Sequence, residues 1–89
     1  MSGRGQICWN RRDEESGEKF QIYAEQTGDK WSFFIRHRRF DQWAPHPEPP
    51  LEDWLELLDG VERRVLRRLQ PPEAVVRIRK LIRERFPEA

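Results

Sequence analysis

A single cysteine, Cys8, excludes any disulfide within the chain, so nothing in the sequence asks for an oxidising compartment. No apolar run approaches the roughly 20 residues that a membrane-spanning helix needs. Met1-Ser2-Gly3-Arg4-Gly5 leads into mixed polar sequence without the apolar stretch of a secretory leader, which makes the cytoplasm the expected compartment. An excess of one charge is missing too: 17 Lys and Arg face 16 Asp and Glu, a formal net charge of +1. A dedicated duplex-DNA binder usually carries a larger basic excess, although a locally basic patch remains open. Histidine is scarce, and His37, His46 and Cys8 never fall at the paired spacing of a zinc site. No Gly-rich phosphate loop, nucleophile elbow or paired-carboxylate motif occurs. These absences lead to the expectation of no enzyme, cofactor, metal, membrane association or small-molecule substrate.

What is present points to a small soluble fold. The 89 residues suit one modest core. Hydrophobic residues make up 36% and charged residues 37%, with a mean hydropathy of -0.99. That polar balance is offset by 4 Trp and 5 Phe, each burying more area than an aliphatic side chain. The expected organisation is a disordered N-terminus over residues 1–5 and a single α+β domain over 6–89.

Alternation of apolar and polar residues carries the first half. Lys19-Phe20-Gln21-Ile22-Tyr23-Ala24-Glu25 alternates, and so does Trp31-Ser32-Phe33-Phe34-Ile35-Arg36-His37. Between them Gly28-Asp29 offers a two-residue turn, with glycine supplying the positive φ that such turns need. Centring the turn there pairs Ala24 with Phe33, Ile22 with Ile35 and Phe20 with His37, so the strong apolar residues share one face. A slip of one residue would scatter them. Tyr23 opposite Phe34 is left on the other face, with Gln21 opposite Arg36 and Glu25 opposite Ser32. With Gln6–Asn10 added, the spacing predicts a hairpin or three-stranded antiparallel meander over about 6–10, 19–26 and 31–38.

Four prolines between positions 45 and 50 break regular structure and form a stiff crossover. Leu51–Leu69 then places its leucines and valines on one arc of about 180° of a helical wheel. Acids come early in that helix and arginines late, matching its dipole. Pro71-Pro72 separates it from a second helix over 72–86, and so short a break makes the two antiparallel neighbours.

Several residues stand out. Glu62 lies inside the apolar arc of the first helix and Arg85 inside that of the second, so the two are expected to form a buried ion pair. Tyr23, Phe34, Trp43, Trp54, Leu57 and Leu66 are the candidate contact residues: aromatics on the second sheet face, tryptophans flanking the prolines, and the two flanks of the wide helical arc. Arg36, Arg38 and Arg39 beside Tyr23 and Phe34 carry the ingredients of single-strand recognition, stacking plus phosphate contact. The expectation is a non-enzymatic protein–protein interaction domain that binds a protein partner or itself as a homodimer. The alternative is a small nucleic-acid-binding protein using the Arg/aromatic sheet face.

Overall fold

In a computed structural model, residues 6–28, 30–37 and 42–88 are described. Strands β1 (Gln6–Arg12), β2 (Lys19–Thr27), β3 (Lys30–Arg36) and β4 (Ala44–Pro45) precede helices α1 (Leu51–Leu66) and α2 (Pro72–Arg85). The chain divides into two compact units, one ending at Glu48 and the other beginning at Pro49. The expectation of a disordered stretch over 1–5 lies outside the described residues.

The first unit is one antiparallel sheet in the order β1-β2-β3-β4. Its central register is the one the alternation predicts: Ile22 faces Ile35, Ala24 faces Phe33 and Tyr23 faces Phe34. Gly28 holds a φ of 63°, which only glycine adopts without cost. β1 runs two residues further than its apolar pattern indicates, pairing Arg11 with Phe20 and Arg12 with Lys19. The Arg11 guanidinium lies 5.7 Å from the Phe20 ring centre, so a basic residue covers apolar surface there. One sheet face buries Ile7, Ile22, Ala24 and Phe33, with Trp9 edge-on to Phe33 at 6.0 Å.

A fourth strand, not legible in the pattern, pairs Ala44 with Ile35 and Pro45 with Phe34. Proline lacks a donor and is tolerated there because β4 is an edge. The amide of His46 completes the attachment by donating to the Phe33 carbonyl at 2.9 Å.

The second unit is a helical hairpin. α1 stops at Leu66 rather than Leu69, because Arg68 turns into the left-handed region with φ 61°. The Leu69 amide donates to the Arg64 carbonyl at 2.8 Å and the Arg68 amide to the Val65 carbonyl at 3.0 Å. Those two bonds close the helix as a Schellman motif, with arginine at the position that glycine normally fills. A left-handed conformation costs a residue with a Cβ about 1–2 kcal/mol, and part of that is offset because glycine loosens the unfolded chain. Arg68→Gly is therefore expected to stabilise the protein by about 0.5–1 kcal/mol, read as a rise in urea midpoint.

The buried side of α1 is Asp53, Trp54, Leu57, Gly60 and Val61, and that of α2 is Ala74 and Ile78. Arg79 stands against Glu62 while Arg85 stands over Trp54, so the two helices run antiparallel.

Candidate functional site

Two surfaces gather the residues singled out by the sequence, one on each unit. On the sheet face opposite Ile22, the pairings align Cys8, Tyr23, Phe34 and Pro45 as one row across all four strands. Tyr23 and Phe34 stack with ring centres 4.8 Å apart and planes 19° apart. Trp43, just ahead of β4, meets Tyr23 edge-on at 4.7 Å. The Arg36 guanidinium covers the Trp43 ring at 4.4 Å, and its Nε donates to Gln21 Oε1 at 2.5 Å. Tyr23, Phe34, Trp43 and Arg36 thus form one exposed to half-buried cluster. Arg38 and Arg39 lie outside the described residues. Cys8, exposed beside Tyr23, belongs to the same row, and its short side chain gave no sequence signal for that placement.

Tyr23 is the sole tyrosine of the chain. Partial burial under its neighbours pushes its phenol above the ordinary 10, with the charges of Glu25 and Cys8 acting in the same direction. Burial favours the neutral phenol, so this contribution to stability is complete below pH 10 and is lost as pH rises through the raised folded value. Tyrosinate absorbance is expected to give a midpoint above 10, returning toward 10 in Trp43→Ala.

The second surface is the flank of α1. Its apolar arc has two edges, nearly opposite one another on the helix, and only one is covered. Leu57 and Trp54 are buried, which removes both from the set of contact candidates: they are core. The reason is rotational, because the buried side centres on Leu57 rather than on the middle of the arc. The other edge stays open, with Leu55 48% and Leu66 84% exposed, while Leu69, past the helix end, and Val76 of α2 are each 66% exposed. Beside it runs an open groove of about 560 Å³, lined by the charged Asp59, Glu62 and Arg63 as well as by Val65, Leu66, Pro72 and Val75.

The expected Glu62–Arg85 pair is not what forms. Arg79 donates to Glu62 at 2.8 Å, with both side chains partly exposed. Arg85 instead lies over the Trp54 ring at 5.2 Å. In an antiparallel hairpin turning at 67–71, residues far from the turn meet residues far from the turn. Arg85 is level with Trp54, eight residues or about 12 Å of helix from Glu62. Among the described residues, the fully buried carboxylate is Asp53, in the first turn of α1, where the helix dipole favours a negative charge.

A depression at Asn10, Ser16, Gly17, Glu18, Gln21 and His37 holds an imidazole–carboxylate pair, His37 Nε2 with Glu18 Oε2. Its hydroxyl points elsewhere, since Ser16 Oγ donates to Asp13 at 2.8 Å. Among the described residues, no three His, Cys, Asp or Glu side chains converge as metal ligands would. No described helix is long and apolar enough to cross a membrane. No family model, curated protein or solved structure matches the chain.

Proposed function

We propose that this chain is a non-enzymatic protein–protein interaction domain that associates with itself through the open flank of its helical hairpin. The supporting observation is Leu55 and Leu66 on one edge of α1, with Leu69 just past the helix end, large aliphatic side chains left in water while the other edge of the helix is buried. Single exposed leucines are ordinary, but several gathered on one side of a short helical hairpin are costly to hydrate and support a contact surface. Sedimentation equilibrium over a concentration series tests this. The expected average mass rises above the 10.9 kDa of one chain as concentration increases. Leu66→Glu should keep the mass at that of one chain throughout. A wild-type chain that stays monomeric at millimolar concentration would exclude self-association.

The gathering of Arg36 with Tyr23, Phe34 and Trp43 favours a second reading, single-stranded nucleic-acid binding on the sheet face. Against it, Tyr23 and Phe34 already stack on each other, and Arg36 already covers Trp43, so bases would have to displace ring from ring. Anisotropy of a labelled single-stranded oligonucleotide separates the readings. Phosphate-driven binding collapses with added salt, and a hydrophobic contact does not.

A further inference from the structure

We infer that the turn of the helical hairpin docks on an anionic phospholipid surface, with its leucines in the interfacial layer and its arginines against the headgroups. This goes beyond the self-association reading and does not rest on it. The flank and the turn share Leu66 and Leu69, but the positive charge belongs to the turn. Positions 63–72 hold Arg63, Arg64, Arg67 and Arg68 and no acid, whereas the acids of α1 other than Glu62 all come before Gly60. Asp59 meets Arg63 at 3.2 Å and Glu62 is met by Arg79 of α2 at 2.8 Å, while Arg67 and Arg68 are exposed. Basic charge is thus gathered at one end of a hairpin whose other end lies about 24 Å away, the length of the 16-residue α1.

Leu66, Arg67, Arg68 and Leu69 are consecutive exposed residues, and Pro71 and Pro72 after them are exposed as well. The helix end explains why the leucines stand out. In a Schellman motif the residue after the left-handed one usually packs on an apolar third or fourth residue from the helix end. Here Leu69 follows the left-handed Arg68, and the residues it would pack on are Arg64 and Arg63. Leu69 is left 66% exposed and Leu66 84%. The bonds from the Arg68 and Leu69 amides hold the backbone, so both leucines are presented on an ordered turn. A depression of about 460 Å³ lies among Val65, Arg68, Leu69, Pro71 and Pro72.

A partner for this turn must take aliphatic side chains and positive charge side by side. A second copy set turn against turn would bring the same four arginines, like charge on like. Nucleic acid would take the arginines, but no aromatic lies between Trp54 and Phe86 on which a base could stack, and the leucines would stay in water. A phospholipid interface offers both complements within about 5–10 Å, anionic headgroups outside and acyl chains beneath. The expectation of no membrane association followed from the lack of a spanning run, which a turn seated in the headgroup layer does not require.

Co-sedimentation with vesicles tests this, at concentrations where the chain alone is monomeric and in about 0.1 M salt. Partitioning onto phosphatidylcholine vesicles holding about one-third phosphatidylserine is expected to exceed that onto pure phosphatidylcholine at least about tenfold. Leu66→Ser with Leu69→Ser should lower it at least about tenfold. Arg68→Gly should lower it about fivefold, the effect of one charge, while raising the urea midpoint, so the loss of binding is not a loss of fold. Arg12→Gln with Lys30→Gln, at exposed positions of the sheet, should change it less than about twofold. No partitioning, equal partitioning onto the two vesicles, or an equal loss in the sheet variant would each overturn the inference. Undiminished binding by the double-serine variant would also overturn it, and would mark the turn as a general polyanion site, nucleic acid included. Sedimentation without lipid reads self-association separately, so either reading can fail while the other stands.

Discussion

Leu57→Ala is expected to cost about 2–5 kcal/mol of unfolding free energy, while Leu66→Ala changes it by less than about 0.5 kcal/mol. Both residues are leucines of one helix, nine positions apart and both on its apolar arc. They differ in what surrounds them: Leu57 is fully buried and Leu66 is in water. Truncating Leu57 removes its transfer free energy and leaves a cavity among Trp54, Val61 and their neighbours, which close packing cannot fully collapse. Truncating Leu66 removes atoms that were hydrated in the folded chain as in the unfolded one. Urea unfolding at concentrations where the chain is monomeric measures both. Comparable losses would mean that the buried edge of α1 has been misidentified.

Ile22→Asp is expected to abolish the folded sheet at 25 °C, whereas Gln21→Glu, one residue earlier, leaves it intact. Ile22 has no exposed surface and faces Trp9 and Ile35 on the neighbouring strands. A carboxylate there loses its hydration without gaining a partner, a cost of several kcal/mol against a total stability of about 5–15 kcal/mol. Gln21 points to the other face, where its Oε1 already accepts a hydrogen bond from Arg36 and a carboxylate would accept a stronger one. Far-ultraviolet circular dichroism and thermal melting of the two variants check the assignment. A folded Ile22→Asp protein would contradict it.

The hairpin was legible because its two strands carry period-two alternation and share a Gly-containing turn, so only one register puts Ile22, Ala24, Phe33 and Ile35 on one face. β4 was not, because a two-residue strand ending in proline carries no pattern, and its pairing depends on where the chain returns after Arg36. The end of α1 was misplaced because Arg68 adopts a conformation that glycine usually announces. Hydrophobic spacing defined an arc on α1 but could not say which half of it is covered, so Leu57 and Leu66 looked alike as contact candidates. Glu62 and Arg85 were matched by their positions on separate wheels, and wheels carry no information on the level at which two helices meet. Of the sheet-face candidates, Tyr23, Phe34 and Arg36 were legible together because strand parity alone puts them on one side. Trp43 reached them only through the unforeseen β4.

The most direct test of the open flank is a dilution series followed by leucine and valine methyl resonances. On concentration, shifts are expected at Leu55, Leu58, Val65, Leu66 and Leu69, with Leu57 and Val61 unmoved. Shifts confined to the sheet, or spectra that do not change with concentration, would contradict the assignment of that flank as the contact surface.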